Sequence, residues 1–425
     1  MCLGLVTLKM MLRRLYAQWM FAWETRLTTR DTNRQVRPLE WGFDWMADWI
    51  AALPAAQRIQ IEQQVASGEA AQMEAALLTV NESIRANSDN FYRYATPTDF
   101  RLEARHPQLF PTNVRPETLR EDARLQQLAR EGRMEKAQFL RFTSPVRTPY
   151  PENDQVNARW YPAPTNKRRG RPRQAMIVLP QWNADAFSHN ALCSIFNRFG
   201  VSALRLSKPF HDIRRPAELE RSDYTVSANL GRTIAACRQA VVDIRCCIDW
   251  LEQQGYEQFG ILGTSLGSCY AFIASALDPR LRVHVFNHVA THFGDVVWTG
   301  QSTRHIRTAF ADAGLTQDRL RALWAAVSPM AYFDLYAGTA PARRGMPWPR
   351  KQARLIYAPY DLTFLPEFSR AVVAQFTEHG LDFDARILPC GHYTTGETPF
   401  QYMDGWYMCQ FVYQAMRELR APQIA

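Results

Sequence analysis

The chain has 425 residues, 47% of them hydrophobic and 21% charged, with a formal net charge of +9. Those proportions are ordinary for a soluble globular protein, and a chain this long buries a sizeable core without disulfide or metal staples. The positive excess is spread along the chain with no recognition motif beside it, so no nucleic-acid partner is expected.

Residues 1–134 read as a helical N-terminal extension. Residues 1–27 are apolar and aromatic but include Lys9, Arg13 and Arg14, so no stretch approaches the ~20 uncharged residues of a membrane span. No basic run leads into an apolar stretch with a small-residue cleavage site, and no signal peptide is expected. Leu, Trp and Phe share this segment with Arg, which leaves peripheral membrane contact open; packing on the protein's own core is the favoured reading. Residues 57–78 are good helix formers with Gly68 as the weak point. Residues 116–133 repeat Leu119, Leu125 and Leu128 among charges.

Residues 135–425 read as an α/β domain. Segments 139–142 and 158–161 alternate like strands between Pro-rich turns. The one dense basic run, Lys167-Arg168-Arg169-Gly170-Arg171-Pro172-Arg173, reads as a solvated loop. After it, Ala175-Met-Ile-Val-Leu-Pro180 is the continuous apolar run that a buried parallel strand requires. Strands at 201–206, 259–263, 283–286, 354–358 and 384–388 then alternate with helices at 231–254, 268–277, 368–379 and 400–419. This alternation predicts a mostly parallel sheet with helices on both faces. In the helix at 231–254, Ile234, Cys237, Val241, Ile244, Ile248 and Leu251 form one apolar stripe, and Gly255 stops it. An insertion at about 290–350 interrupts the pattern and holds Trp298, Trp324, Tyr332, Phe333 and Trp348. A cap over the active site and ordinary helices on the sheet edge both fit it, and the cap is favoured. The eight cysteines are scattered without a Cys-x-x-Cys pair. That usage fits a reducing, cytoplasmic location and argues against zinc.

Gly263-Thr264-Ser265-Leu266-Gly267 is a Gly-x-Ser-x-Gly pentapeptide. Alone it is a weak signal. Its context is stronger, because a nucleophile elbow must follow a buried strand and open a helix, with flanking glycines where the backbone doubles back. Phe259-Gly-Ile-Leu and Ser268-Cys-Tyr-Ala-Phe-Ile-Ala supply the strand and the helix. The segment Trp250-Leu-Glu-Gln-Gln-Gly-Tyr-Glu-Gln-Phe-Gly-Ile-Leu-Gly-Thr-Ser-Leu-Gly-Ser268 resembles the nucleophile region of the α/β-hydrolase superfamily. More weakly, it is similar to the "α/β-hydrolase domain-containing protein 18" type. The resemblance covers roughly 138–420 and leaves the first 134 residues outside it.

That resemblance implies an α/β-hydrolase fold and a chain order of Ser, acid, then His, each at the carboxyl end of a strand. His379 and His392 are the late histidines. His379 sits at a helix end, whereas His392 lies in the loop Pro389-Cys-Gly-His and is the expected general base. Asp361, after the strand Leu355-Ile-Tyr-Ala-Pro-Tyr, is the expected acid, orienting the imidazole and stabilising its protonated form. Asp295, Asp312 and Asp334 are rivals, with Asp334 the best of them. By the same analogy the backbone N–H of Leu266 is one oxyanion donor, and Gln181 or Trp182 supplies the other. Pro180-Gln-Trp-Asn departs there from the family's common His-Gly pattern, and Pro180 has no N–H to give. His211 and Asp212 sit in a loop that commonly borders the pocket. His288, His292 and His305 match no metal pattern and are expected to be structural or pocket-lining.

The expectation is a serine hydrolase that cleaves a carboxylic ester of a small-molecule or lipid-like acyl group through an acyl-enzyme, with no cofactor and no metal. The alternatives are an acyltransferase using the same triad, and a non-catalytic binding or scaffold protein that docks through its helical extension.

Overall fold

The apolar runs of the second half become the central strands of one nine-stranded sheet, ordered β1-β2-β3-β5-β4-β6-β7-β8-β9. The structure is a computed structural model and describes residues 2–164, 172–343 and 345–420. The basic run at 167–173 therefore lies, up to Arg171, outside the described residues. The strands are β1 (Arg101–Arg105), β2 (Ala137–Thr143), β3 (Gln155–Tyr161), β4 (Gln174–Leu179), β5 (Ser202–Leu206), β6 (Gln258–Thr264), β7 (Leu281–Asn287), β8 (Gln352–Tyr357) and β9 (Asp382–Ile387). From β5 through β9 every pairing is parallel, while β1, β2 and β3 add an antiparallel edge.

Strand alternation divides the core between the two faces of the sheet. Ala175, Ile177 and Leu179 of β4 pack into one apolar cluster, with the helices Leu230–Gln253 and Leu266–Leu277. Met176 and Val178 point into the other, with the helices Asn190–Arg198 and Phe400–Arg420. All six stripe residues of the helix Leu230–Gln253 are buried, at roughly 1.5–3 kcal/mol for each large aliphatic side chain. Asn229 caps that helix, its side chain accepting the Arg232 N–H at 2.8 Å.

Parallel register aligns the carboxyl ends of the strands. Leu179 pairs with Gly263, Thr264 with Asn287, Asn287 with Ile356, and Tyr357 with Ile387. The loops that follow β4, β6, β7, β8 and β9 therefore leave the sheet side by side, and they carry Gln181, Ser265, His288, Asp361 and His392.

The N-terminal region differs in detail from an all-helical extension. Helices do form at Cys2–Thr28, Ala55–Ala66, Ala70–Ala86 and Pro116–Arg130, the expected segment 57–78 being split at Gly68. Residues 101–105, however, form β1 at the sheet edge. Arg-Leu-Glu-Ala-Arg is largely exposed on both faces, so it has no apolar alternation to announce a strand. From Tyr16 onward the first helix packs on the domain, with Met20 and Leu27 buried and Trp23 against Phe400. Its earlier part exposes Met10, Met11, Leu12 and Leu15, and Trp19 stays exposed on the outer face. Among the described residues no helix is long and apolar enough to cross a membrane.

In the insertion, most of the aromatics are core. Trp324, Tyr332 and Phe333 are buried, and Phe333 and Tyr336 lie 4.6 and 4.9 Å, ring to ring, from Phe272 of the helix Leu266–Leu277. The segment 293–303 instead supplies part of the wall of the cavity described next.

Candidate active site

The turn after β6 is shaped by what its residues cannot carry. Ser265 has φ 58° and ψ −122°, a strained conformation for a residue with a side chain. A Cβ on Gly263 would overlap the Gly267 carbonyl, and one on Gly267 would lie 2.5 Å from the Leu179 oxygen at the end of β4. The Ser265 N–H donates to the Asn287 carbonyl at 2.7 Å, and the Ser268 hydroxyl lies 2.6 Å from the Ser265 carbonyl. The strain is thus held by hydrogen bonds to β7 and to the helix that follows.

The structure brings together the three residues that sequence order pairs. His392 Nε2 lies 3.0 Å from Ser265 Oγ, and its Nδ1 lies 2.8 Å from Asp361 Oδ2. Phe364 stacks on the imidazole with the rings 3° from parallel and 5.3 Å apart. Asp361 is buried, and its Oδ1 accepts the N–H groups of Thr363 and Phe364 at 2.7 Å each. A fourth residue joins them. His288, at the end of β7, places its Nδ1 2.9 Å from the same Asp361 Oδ2 and its Nε2 3.3 Å from the Thr395 hydroxyl.

Electrostatics follow from this packing. Burial opposes charge on Asp361, but the two histidines outweigh it and hold the carboxyl well below the usual carboxylate range. Burial likewise works against a charged His392, yet Asp361 and then Glu24 raise its pKa above the ordinary histidine value. His288 is pushed down by burial and stays neutral, a donor through Nδ1. His288, Asp361 and His392 are also close enough to share a cation, but both Nδ1 atoms meet one carboxylate oxygen at hydrogen-bond distance.

Leu266 opens the helix after Ser265, and Gln181 and Trp182 follow the neighbouring strand β4, all three lining the same cavity. Among the described residues none of these three backbone N–H groups donates an internal hydrogen bond. Lys208, fully buried, pins their turn by donating to the carbonyls of Pro180 at 2.8 Å and Gln181 at 3.0 Å. His211 accepts the Asn183 N–H at 3.3 Å. The cavity measures about 960 Å³, with Leu192, Ile195, Val296 and Val297 among its apolar lining and Arg115 and Arg221 among its polar lining.

The remaining polar candidates lie elsewhere or serve the scaffold. Asp334 pairs with His379 at 3.4 Å on the surface, Asp295 pairs with Arg321 at 3.0 Å, and Asp312 ends a helix. Asp212 is tied to Arg205 in a buried pair. His305 stacks beside Trp182 with the rings 4° from parallel, and His292 is half-exposed near Asp295. Sequence reasoning missed Glu24 and Lys208 and gave His288 a structural or pocket-lining role without a contact to the acid. Glu24 and Lys208 carry no local signal, whereas His288 stands one residue past a parallel strand, where this sheet gathers its polar groups.

No known family model matches the chain, and no curated protein matches it. Solved structures do. An acetyl xylan esterase from a Thermoanaerobacterium species aligns over 79% of this chain and 93% of its own, at 14% identity and a TM-score of 0.51. An acylaminoacyl peptidase from Pyrococcus horikoshii aligns over 66% of this chain and 46% of its own, at 11% identity and a TM-score of 0.47. An acetyl xylan esterase from a Paenibacillus species aligns over 65% and 83%, at 11% identity and a TM-score of 0.47. The first of these likenesses carries the fold.

Proposed function

We propose that this chain, which has the α/β-hydrolase fold, is a serine hydrolase that cleaves carboxylic esters of a small-molecule or lipid-like acyl group. The observation that carries the reading is the unbroken contact from Ser265 Oγ through both nitrogens of His392 to Asp361, at 3.0 and 2.8 Å.

His392 takes the hydroxyl proton as Ser265 Oγ attacks the ester carbonyl, and Asp361 stabilises the imidazolium that forms. The negative oxygen of the tetrahedral intermediate meets the N–H of Leu266 and that of Gln181 or Trp182. Each such donor is worth roughly 3–4 kcal/mol of transition-state stabilisation. The intermediate then breaks its bond to the alcohol oxygen, which leaves with the proton from His392, and the acyl group stays on Ser265. Water, deprotonated by the same imidazole, releases the acid and restores the hydroxyl. The Ser265 proton leaves with the alcohol, and the proton taken from water by His392 replaces it. The apolar lining of the cavity favours an acyl group of some length.

Labelling with a fluorophosphonate probe, followed by turnover of p-nitrophenyl esters of rising chain length, tests the reading. Wild-type protein is expected to label and to hydrolyse, and Ser265→Ala to do neither. A folded wild-type protein that fails to label would point to a non-catalytic binding role.

A further inference from the structure

The helix Cys2–Thr28 has no task in the reaction above, yet it reaches the loop that bears His392. Glu24 is completely buried, an expensive place for a carboxylate unless it is fully hydrogen-bonded. Its two oxygens accept the Tyr393 N–H at 2.8 and 3.1 Å, and Oε2 accepts the Thr394 N–H at 2.9 Å and the Thr394 hydroxyl at 3.0 Å. The same hydroxyl oxygen accepts the Gly391 N–H at 2.6 Å. The peptide groups on both sides of His392 are therefore tied to one carboxylate, directly or through one hydroxyl. A Cβ on Gly391 would overlap Glu24, so the loop Gly391-His-Tyr-Thr394 closes around this group. Two more contacts hold the helix in register. Tyr16 donates to the Pro389 carbonyl, and Thr28 donates to the side-chain oxygen of Gln301 at 2.5 Å; the Gln301 backbone N–H in turn donates to the Leu362 carbonyl at 2.7 Å. Both loops that carry partners of Ser265 are thus braced by the first helix.

We infer that Glu24 is a positioning residue of the active site: its carboxylate clamps the turn 391–394, fixes the His392 imidazole between Ser265 and Asp361, and makes the N-terminal helix part of the catalytic unit. The inference rests on the serine hydrolase reading. The charge of Glu24 also acts on the imidazole. The groups facing His392 are Asp361, His288, Ser265, Tyr393 and Glu24; those facing Glu24 are Asp361, His392, Tyr393 and the Cys390 thiol, with Arg34 and Arg221 beyond Tyr393. Burial pushes the Glu24 carboxyl up, and the loop N–H groups oppose that shift.

Glu24→Gln keeps the shape but removes the charge and turns an amide N–H₂ toward a donor. It is expected to lower kcat about 10- to 100-fold with little change in KM, the scale set by a slightly misplaced catalytic group. It is also expected to move the acid limb of the kcat/KM profile to lower pH, because one of the anions that keep His392 protonated is gone. Glu24→Asp retains the charge on a shorter arm. It should lower kcat while leaving the acid limb at the wild-type pH, and it serves the test if the glutamine variant does not fold. Wild-type kcat in either folded variant overturns the proposal. So does a kcat loss in Glu24→Gln that follows thermal stability with an unmoved acid limb, since that is what a purely structural residue gives. If wild-type protein neither labels with fluorophosphonate nor turns over esters, the hydrolase reading fails with it; if wild type does both, only the role of Glu24 is being judged.

Discussion

At the scale of single residues the site turns on Asp361, a carboxylate with four hydrogen-bond donors around two oxygens. Its ionised form is the one the fold selects, so Asp361→Asn should preserve folding and lose about 10⁴-fold in kcat by presenting the wrong partner to the imidazole. A milder loss is expected for His288→Leu. It removes one hydrogen bond to a charged group, worth about 1.5 kcal/mol or roughly tenfold in kcat/KM, and steady-state kinetics at fixed pH would measure it. An unchanged rate would show that His288 is only packing. The pH profile has a definite sign. In the proposed reaction His392 must be neutral to accept the Ser265 proton, and Asp361 and Glu24 raise its pKa against burial. The kcat/KM profile should therefore fall on the acid side with a midpoint above the ordinary histidine value of about 6.5. Ser265, Asp361 and His392 stand out in sequence because each follows a strand and the superfamily resemblance orders them. Glu24 does not, because its importance depends on a contact with residues far along the chain that no local pattern encodes.

At the scale of elements, what is readable is what is apolar. The runs that become β4 and β5 are fully buried along their length, and the stripe of the helix Leu230–Gln253 lies where 3.6-residue periodicity puts it. β1 escapes because edge strands need no buried face. The insertion is ambiguous for a related reason: aromatic residues mark a core and a cavity wall equally well. The structure divides them, with Phe333 and Tyr336 packed on Phe272 and the segment 293–303 facing the cavity. Phe272 is wholly buried and also meets Phe286 and Phe376. Phe272→Ala should therefore cost about 3–5 kcal/mol of unfolding free energy. Denaturant titration would show it as a lower midpoint at unchanged slope. A loss under about 1 kcal/mol would mean that the insertion is not anchored through this ring.

At the scale of the whole molecule, the first and last helices meet in one apolar cluster, where Met20 joins Phe400, Met408 and Val412 against the sheet. Asp404 sits in the last helix, buried, with one hydrogen bond, from the Asn287 side chain at 2.8 Å, and Oδ1 without a partner among the described residues. Burial pushes its carboxyl up to about 7, and the Asn287 contact only partly opposes that. The consequence for stability has the opposite sign to that of Asp361. Below about pH 4 the group is protonated in both the folded and the unfolded chain and has no effect. Between about 4 and 7 the unfolded chain releases the proton while the folded chain keeps it, so stability declines as pH rises; above 7 the penalty is constant. Asp404→Asn removes this titration and can still bond to Asn287. Its Tm should match the wild type near pH 4 and exceed it by up to about 8 °C at pH 8, since raising a carboxyl from about 4 to about 7 is worth roughly 4 kcal/mol and one kcal/mol corresponds to roughly 2 °C in a chain of this size. Because every other carboxylate titrates identically in the two proteins, the difference between their melting curves isolates this one group. A gap that stays constant from pH 4 to 8 would mean that Asp404 is ionised in the fold throughout, and that the junction of the last helix with β7 is more polar than its burial implies.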